Sequence, residues 1–473
     1  MKLKSILFLF IFSGIIQAAF SCDNRNKIDT PEPSEEAVGV ASDLQLEIKV
    51  VDKNNNTVIT GAFVEVYKNK EDLALGKNII VSHKTSEEGM AVFKAKEFNK
   101  NNLPFSQLNG IYYLNIFREN LRLQAETPNL NFEKDKTVHK EVRLMDEKAD
   151  IITVKVAVLY ENPIIEGKRF HNGALEVNWN DPVKLSRDYE KTLEEVSHRT
   201  LDYRVVKEID ADTLFTYFKD DPTKEHISVA DMVSYLRESG WSTLKTRGTS
   251  YDYNAMVQYY GFDKMRDHNE IHEVWVWSFP YGGMWESHMM GKGAFWLNSP
   301  PNENPSCTEL LSIMGLNYER DLDCALHSYG HRYESIMMQV YGWWSYNGKS
   351  KKSQLTNWEI FSGYNQVYKK FDSNGCQIGN VHFPPNGISD YDYSNKENVM
   401  TYADEWYNYP YLRETERKVL NCSEWDCNQL EYMKWYFKHL PHYRGINPND
   451  GKLNNWWHYV VDYNDAIQKQ TID

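Results

Sequence analysis

The chain has 473 residues, with 67 acidic and 53 basic side chains and a formal net charge of −14 at pH 7. Its longest basic patch is the short segment Lys349–Lys352. Because binding to a nucleic-acid backbone depends on clustered cations, we expect no nucleic-acid partner. Hydrophobic residues make up 41% of the chain, which is enough for the two or three domains expected at this length.

The N-terminus has the pattern of an export signal, predicted over residues 1–21. The cationic start Met1–Lys4 is followed by the apolar run Ile6–Ile16 and by small residues before Cys22. Residues 19–22 resemble a bacterial lipoprotein box, which implies that Cys22 carries a lipid. The alternative is an ordinary signal peptide that leaves Cys22 as a spare thiol. The first case predicts an exported lipoprotein at the outer membrane or the cell surface.

Residues 22–43 are predicted to be a flexible tether. They are rich in Asn, Asp, Glu, Pro and Ser, and such a segment buries too little apolar surface to offset the entropy of ordering. No later stretch approaches the ~20 consecutive apolar residues that span a bilayer. A lipid on Cys22 would therefore be the only membrane attachment.

An all-β sandwich is predicted for residues 44–146. Leu44–Val51 and Gly61–Tyr67 alternate apolar and polar residues and are separated by the polar turn Asp52–Asn56, a pattern typical of short antiparallel strands. Together with Thr85–Phe93, which contains an acidic turn ending in Gly, they resemble the carboxypeptidase regulatory-like, transthyretin-type domain. The resemblance implies a spacer or adhesion module without chemistry of its own.

An α/β (α+β) domain with a helix-rich C-terminal part is predicted for residues 150–470, which makes the chain multidomain. The nearly continuous apolar run Ile151–Tyr160 is typical of a strand in a sheet that is covered on both faces. After it, strand and helix patterns alternate, as they do in α/β units. We predict further strands at Tyr203–Ile209 and His272–Phe279 and helices at Arg187–Arg199, Val229–Glu238, Asp252–Tyr260, Glu309–Leu316, Asp323–Tyr341 and Gln429–Phe437.

Two imidazoles and a carboxylate fall at helical spacings within the segment Cys324–Ser335. His327, His331 and Glu334 are separated by four and three residues, so on a helix they share one face. Three such ligands with an open fourth position are typical of a catalytic zinc site, which predicts zinc or another divalent metal here. The alternative is that both histidines are hydrogen-bonded residues of a buried helix and that Glu334 pairs with Arg332 or another cation. The usual zincin motif has Glu where this chain has Ser328, which counts against the metal.

Four more polar residues are candidates for catalysis around such a metal. Glu286 follows a predicted strand in a Gly-containing loop, where α/β folds place ligands. Glu319 lies eight residues before His327, and either glutamate is a candidate general base. His382, on a Pro-containing loop, is the candidate for a ligand or acid from outside the helix, and His382 or Arg332 would stabilise developing negative charge. The alternative for Glu286 is a cap on the next helix or an ion pair with Arg320 or Arg332. For Glu319 it is a salt bridge to a neighbouring arginine, and for His382 a hydrogen bond to a nearby carbonyl.

The chain contains 14 Trp and 31 Tyr. Such residues build large cores, but they also line clefts that stack on sugar rings or peptide side chains. Packing in a core is their more common fate. The candidates for a stacking wall against a polymer substrate are Tyr281, Trp285, Trp343, Trp344, Trp456 and Trp457.

Five cysteines follow Cys22, an odd number in a compartment that permits disulfides. Cys422 and Cys427 could close a small loop, and Cys307 could pair with Cys324. The alternative is five reduced, buried thiols. We expect one disulfide.

Short motifs between residues 155 and 465 together resemble an uncharacterised family of secreted bacterial and fungal proteins. The motifs are Glu273–Trp277, Pro280–Ser287, Ala294–Pro301, Asn317–Arg320, Gly330–Ser335 and Asn454–Trp457. The resemblance implies one shared domain of catalytic type, but it brings no reaction or substrate with it. The functional prediction therefore depends on the residues themselves.

Three functions are compatible with these patterns. The first is an extracellular, surface-anchored, metal-dependent hydrolase of peptide or glycan polymers, favoured by the imidazoles grouped on one helical face. The second is a metal-free glycoside hydrolase in which two carboxylates, such as Glu286 and Glu334, act as acid and base. The third is a surface lipoprotein that binds glycans or proteins through its aromatic residues without catalysis.

Overall fold

The computed structural model of the protein describes residues 42–303, 306–342, 355–362, 364–365, 370–371, 377–415 and 417–470. The predicted export signal, Cys22 and most of the predicted tether lie outside these residues, as does Cys376. The described chain combines several β-sheets with several helices, so the prediction of a mixed, multidomain chain is confirmed at that level. Within the described residues, no helix is long and apolar enough to cross a membrane.

Residues 45–146 form strands with two short helices between them. Their bounds are β1 (Gln45–Asp52), β2 (Phe63–Tyr67), α1 (Lys70–Leu75), β3 (Val81–Lys84), β4 (Met90–Lys94), α2 (Ala95–Phe98), β5 (Tyr113–Arg118), β6 (Leu121–Glu126) and β7 (Thr137–Asp146). The strand order is β3-β2-β5-β6-β7-β1-β4. β1 runs parallel to β7 and antiparallel to β4. β6 meets β7 at only two residue pairs, so β7 links two separate ladders.

The apolar alternation of this region fills its core. In β1, Leu46, Ile48 and Val50 are fully buried, and most of the residues between them are partly or fully exposed. The outermost strands β3 and β4 also approach each other, because the ring of His83 lies edge-on at 4.8 Å from that of Phe93. This core contains residues 44–144 alone. Independent folding of residues 44–146 stays a prediction.

Residues 152–317 contain the central sheet. The strands are β8 (Ile152–Glu161), β9 (Ile164–Ile165), β10 (Lys168–Arg169), β11 (Leu201–Ala211), β12 (Thr216–Phe218), β13 (Thr249–Tyr251), β14 (Glu273–Ser278), β15 (Ser287–Met290) and β16 (Leu311–Asn317). The helices are α3 (Pro182–Val196), α4 (Val229–Ser239), α5 (Ser242–Arg247), α6 (Tyr253–Tyr260) and α7 (Phe262–Asp267). The central sheet has the order β11-β8-β14-β16-β15. All its neighbouring pairs are parallel except β15 with β16.

Helices cover both faces of this sheet. On one face, Val158 of β8 lies in the same core as Leu193 of α3. On the other face, Leu159 lies with Met256 of α6. Successive side chains of a strand point to opposite faces, so a strand that is covered on both sides is apolar throughout. This arrangement accounts for the continuous apolar run at the start of the region.

The helix predicted at Glu309–Leu316 is wrong, because most of these residues belong to the strand β16. β16 pairs in parallel with β14, with Ile313 opposite Val274, and most of its residues are buried. A short apolar run fits a buried strand as well as a buried helix. Gly315 allows this strand to pass close to a neighbouring loop, since a Cβ atom there would lie 2.2 Å from the carbonyl oxygen of Trp285.

Helices and short strand pairs follow β16. They are α8 (Leu322–Tyr341), α9 (Asn357–Ser362), β17 (Tyr364–Asn365), β18 (Lys370–Phe371), β19 (Val399–Thr401), β20 (Lys418–Leu420), α10 (Gln429–Lys438), β21 (His442–Ile446), β22 (Leu453–Asn455), α11 (Trp456–Val461) and α12 (Tyr463–Lys469). A disulfide joins Cys422 to Cys427, the first of the two pairings considered from the sequence. Cys307 and Cys324 are free thiols.

The C-terminal part packs against the N-terminal strands through two arginines. Arg413 donates hydrogen bonds to both carboxylate oxygens of the buried Glu65, at 2.5 and 3.0 Å. The guanidinium of the buried Arg122 lies 3.8 Å from the ring centroid of Tyr443. Residues from Ser42 onward accordingly form one structural unit, although their apolar cores are separate.

Glu161, the last residue of β8, is a fully buried carboxyl that links stability to pH. Its oxygens accept hydrogen bonds from the hydroxyls of Tyr251 and Ser278, each at 2.6 Å. Burial raises the pKa of Glu161 from 4.5 to about 7, although both hydrogen bonds favour the charged form. Between these two pH values the unfolded chain loses this proton while the folded chain keeps it, so the free energy of unfolding falls as pH rises.

We expect Glu161→Gln to remove this contribution, because the amide stays neutral and can still bond both hydroxyls. Relative to the variant, the wild type should lose about 3 kcal/mol of stability as pH rises from about 4.5 to about 8. Urea denaturation across that range measures it. Glu166→Gln, at an exposed position, is the control. Parallel pH profiles for wild type and Glu161→Gln would contradict the assignment.

Candidate metal centre

Helix α8 brings two imidazoles to one point. The helix begins after Asp321, whose side chain accepts a hydrogen bond from the amide of Leu322. His327 and His331 follow one turn apart, and their Nε2 atoms lie 3.1 Å from each other. The two side chains thus share one face of the helix, as the spacing of four predicts.

A third imidazole reaches the same point from the segment between β18 and β19. His382 Nε2 lies 3.1 Å from His331 Nε2. The ligand nitrogens of His327, His331 and His382 all lie within 4.8 Å of one another. We call these residues the three-histidine group. His382, considered from the sequence as a ligand or acid from outside the helix, is therefore positioned as a ligand.

The loop that carries His382 is held from several sides. Asn380 Oδ1 accepts a hydrogen bond from the His382 amide at 3.0 Å. The Tyr432 hydroxyl donates to the Asn380 carbonyl at 2.7 Å. The loop also touches α8 directly, because a Cβ atom on Gly330 would lie 2.5 Å from a methyl carbon of Val381. A side chain mounted in this way keeps its position when a ligand binds.

Three imidazole nitrogens at this distance need a cation or protons between them. Two neutral nitrogens that both point lone pairs at each other form no hydrogen bond. In a tetrahedral zinc site with Zn–N distances of about 2.1 Å, the ligand nitrogens lie about 3.4 Å apart. The two separations of 3.1 Å are close to that value. The three-histidine group can therefore bind a metal ion.

Glu334, expected as the third ligand, is not part of the group. Its Oε2 lies 3.4 Å from Nδ1 of His331, the ring nitrogen other than the one in the group. Its Oε1 accepts a hydrogen bond from the amide of Val381, 47 residues further along the chain. Glu334 therefore orients His331 and anchors the loop of His382. Carboxylates often play this orienting role for metal-binding histidines.

The three imidazoles have different electrostatic surroundings. Burial lowers the pKa of His327 to about 3, with smaller contributions from His331 and His382. Burial, followed by the charge of His331, also lowers the pKa of His382. At His331 burial acts in the same direction, but the hydrogen bond and charge of Glu334 and the charge of Glu286 outweigh it and raise the pKa. Neutral imidazole, favoured at two positions, is the form that binds metals.

Glu286 lies beside the three-histidine group. Its Oε2 is 3.9 Å from His331 Nε2 and accepts a hydrogen bond from Asn298 Nδ2 at 2.6 Å. The backbone is fixed by the Gly315 amide, which donates to the Glu286 carbonyl at 3.1 Å. The side chain is 45% exposed, so solvent water reaches the carboxylate. Of the two glutamates considered as a base, this one lies at the group.

The other two catalytic candidates point elsewhere. Glu319 forms a surface ion pair with Arg320 at 3.4 Å, one of the alternatives considered for it. Arg332 is fully buried, pairs with Glu273 and donates to the Val460 carbonyl at 2.7 Å. Successive helical residues project about 100° apart, which turns Arg332 into the core. The expected role of Arg332 in stabilising charge at the site therefore does not hold.

Tyr391 is a site residue that the sequence did not reveal. Its ring stacks against His327 at 5.6 Å and lies tilted against His382 at 4.6 Å between centroids. Its backbone has a φ of 62°, uncommon for tyrosine, and its amide donates to the His382 carbonyl at 2.9 Å. Backbone strain of this kind collects at functional sites. The only available signal was the Tyr- and Asp-rich segment 389–393, which points to no chemistry by itself.

One cavity adjoins the group and shares a wall with a second cavity. The first, of about 520 Å³, is lined in part by Glu286, His327 and Tyr391. The second, of about 350 Å³, is lined in part by Tyr281 and Trp285. The residues that line both are Met284, Gly315, Leu316 and Asn317. Together they form a cleft at the carboxyl ends of β14 and β16, the edge where α/β folds bind ligands.

The aromatic candidates divide between the cleft and the core. Tyr281 and Trp285 are 40% and 49% exposed and line the cleft. Trp456 and Trp457 are fully buried in the C-terminal core, so the prediction that they line a binding wall is wrong. Trp343 and Trp344 lie outside the described residues.

Comparison with known proteins does not assign the chain to a family. No protein-family model matches the chain, and no curated protein matches it. Solved structures with local similarity include the TIE protein of Bacillus anthracis, at 20% identity over 24% of this chain and 18% of that chain, with a TM-score of 0.16. Another is the pilus 2b backbone protein of group B streptococcus, at 14% identity over 22% of this chain and 40% of that chain, with a TM-score of 0.15. A third is BcpA, the major pilin subunit of Bacillus cereus, at 16% identity over 22% of this chain and 29% of that chain, with a TM-score of 0.14. The chain thus covers less than half of each of these proteins. Similarity at this level carries no argument about fold or function, and both resemblances noted in the sequence stay predictions.

Proposed function

We propose that the protein is a divalent-metal-dependent hydrolase, with zinc as its metal, that cuts amide or ester bonds in an extracellular polymer. The proposal depends chiefly on one observation: the carboxylate of Glu286 lies 3.9 Å from a nitrogen of the three-histidine group, beside an open cleft. Three protein ligands, an open position and a neighbouring carboxylate are the elements of catalytic zinc sites.

His327, His331 and His382 would hold the ion. Imidazole nitrogens suit zinc, and also copper, nickel and iron. An ion bound there would polarise the carbonyl group of the bond to be cut and lower the pKa of a nearby water molecule. Glu334 would keep His331 in its ligating orientation through Nδ1.

Glu286 and Tyr391 would carry out the remaining steps. Glu286 takes a proton from the attacking water as the water oxygen adds to the carbonyl carbon. When the bond from that carbon to the leaving nitrogen or oxygen breaks, Glu286 returns the proton to the leaving atom. The hydroxyl of Tyr391 would donate a hydrogen bond to the charged oxygen formed in between. Water is the only co-reactant, and the products are a carboxylic acid and an amine or alcohol.

The sequence supports an extracellular setting for this activity. Residues 1–21 are predicted to direct export, and a lipid on Cys22 would attach the chain to a membrane through the predicted tether. The N-terminal strands would then act as a spacer between that membrane and the cleft. The partners in this proposal are an extracellular peptide or polysaccharide substrate and the membrane that holds the anchor.

Metal analysis of the purified protein tests the proposal directly. We expect about one zinc ion per wild-type chain and essentially none in His331→Ala. His268→Ala, at an exposed histidine far from the group in sequence, should keep the metal. Glu334→Gln should weaken metal binding by about 10- to 100-fold, because it changes the group that orients His331. Hydrolysis of a casein substrate or an acetylated glycan should stop with a chelator and return with zinc.

Other outcomes would point to the alternatives. Hydrolysis of a glycan that continues after chelation would contradict the metal and favour paired carboxylates. A folded protein without metal and without hydrolysis would favour a binding protein. Wild-type metal content in His331→Ala would show that the metal binds elsewhere.

A further inference from the structure

Two partly exposed aromatic side chains line the second cavity, which shares a wall with the cavity beside the three-histidine group. Tyr281 and Trp285 remain 40% and 49% exposed although each carries a large apolar ring. Trp285 directly precedes Glu286, so its ring is attached one residue from the proposed base. Exposed aromatic rings at a cavity are typical of binding surfaces.

The backbone beneath these rings is held in place. The hydroxyl of Thr249 donates to the Tyr281 carbonyl at 2.6 Å, and that of Tyr253 accepts from the Trp285 amide at 2.8 Å. At Gly283 a Cβ atom would lie 2.5 Å from the carbonyl carbon of Ser250, so the loop lies directly against the neighbouring strand. Rings mounted on a fixed backbone lose little entropy when a ligand stacks on them.

The surroundings of the rings fit a sugar better than an apolar side chain. Besides Tyr281 and Trp285, the cavity is lined by three glycines, three apolar residues and four polar residues, which are Lys219, Thr249, Ser250 and Asn317. A pyranose ring presents a flat face of C–H groups, which packs on an aromatic ring, and hydroxyls around its rim, which need polar partners. A flat aromatic surface with a polar rim and an open top provides both.

The bond to be cut follows from the chemistry of the neighbouring group. A metal site with a carboxylate base acts on carbonyl or phosphoryl groups, and the function proposed above uses it on a carbonyl group. Glycosidic bonds contain no carbonyl and are usually cut by paired carboxylates. The carbonyl groups that commonly decorate sugars are those of N-acyl and O-acyl substituents.

We infer that the cleft binds an acylated glycan, with one sugar ring stacked on Trp285, and that the bond cut joins an acyl group to nitrogen or oxygen of the adjacent sugar. This inference rests on the function proposed above and names its substrate class. Water adds its hydroxyl to the acyl carbon and its remaining proton goes to the leaving atom. The products are a carboxylic acid and a sugar with a free amino or hydroxyl group.

Binding is tested first on the full chain after dialysis against a chelator, so that it does not depend on hydrolysis. The probes are a hexamer of N-acetylglucosamine and an O-acetylated xylan oligosaccharide, titrated by calorimetry. Trp285→Ala should weaken binding of the accepted probe about ten-fold, and Trp285→Phe should restore most of it. Trp296→Ala is the matched control, since Trp296 is 44% exposed but lines neither cavity of the cleft.

Acetate release by the zinc-loaded protein then tests the bond. In Trp285→Ala we expect an increased KM with kcat little changed, and the accepted probe distinguishes an amide from an ester. Equal glycan affinity in wild type and Trp285→Ala would overturn the sugar subsite. Hydrolysis of casein without binding or deacetylation of either glycan would overturn the substrate class and leave the hydrolase intact. Glycan binding that depends on Trp285, without hydrolysis of any substrate, would support the subsite and refute the proposed function.

Discussion

Glu286→Gln is expected to lower kcat for hydrolysis by about 10²- to 10⁴-fold, the usual contribution of a general base. The carboxylate lies 3.9 Å from His331 Nε2, and the amide that replaces it accepts no proton from water. The substitution preserves size and can keep the hydrogen bond from Asn298. KM and metal content should therefore stay close to the wild-type values. Initial rates together with metal analysis of the same preparation measure both.

Glu319→Gln is the matched control for this variant. Glu319 is the other glutamate that the sequence suggests as a base, but its carboxylate forms a surface ion pair with Arg320. We expect wild-type kcat in Glu319→Gln. Wild-type kcat in a metal-loaded Glu286→Gln protein would instead contradict the proposed mechanism.

Local spacing predicted only part of the metal centre. A separation of four residues places two side chains on the same helical face whatever surrounds the helix, and His327 and His331 do meet at 3.1 Å. Helical spacing could not place the third ligand, although the Pro-containing loop of His382 made it a candidate ligand or acid from outside the helix. His382 lies 51 residues after His331, and tertiary contacts of its loop, such as its packing against α8 at Gly330 and the bond from the Val381 amide to Glu334, bring it to the group.

Glu334 illustrates why spacing does not identify a ligand. Its position three residues after His331 predicted proximity, and its carboxylate is indeed 3.4 Å from that ring. The contact is with Nδ1, however, and the second oxygen is occupied by the Val381 amide. Which nitrogen of a histidine a carboxylate contacts depends on tertiary structure, so a ligand and an orienting group give the same sequence pattern.

Apolar segments were ambiguous in a different way. The apolar alternation in β1 predicted a strand because it has a period of two. The continuous apolar run in β8 predicted a strand because it is typical of a sheet that is covered on both faces. The run before Asn317 matches a helix and a buried strand equally well, and pairing with β14 decides for the strand. In the same way, Trp285 and Trp457 are indistinguishable as residue types, but the first lines the cleft and the second lies in the core.

Arg332→Met is expected to destabilise the protein by about 3–5 kcal/mol, because it leaves the carboxylate of Glu273 buried without a cation. Both side chains are almost inaccessible to solvent. Burial alone would lower the pKa of Arg332, but the charge of Glu273 outweighs it and raises the pKa above its usual range. The remaining side-chain partner of Glu273 is the indole N–H of Trp275, which donates at 2.9 Å and does not neutralise the charge.

The double variant Arg332→Met with Glu273→Gln should recover much of this loss, since it removes the buried charge together with its partner. Urea denaturation of the wild type, both single variants and the double variant measures the coupling free energy between Arg332 and Glu273. The control Arg320→Met, at an exposed ion pair, should have a free energy of unfolding within about 1 kcal/mol of wild type.

The same proteins separate a structural from a catalytic role for Arg332. If Arg332 stabilised negative charge in the cleft, Arg332→Met would lower kcat while its stability stayed near wild type, and the double variant would be equally slow. Because the guanidinium contacts Glu273 and Val460 in the core, we expect the opposite result: unstable single variants, and a kcat per folded molecule that is close to wild type in the double variant.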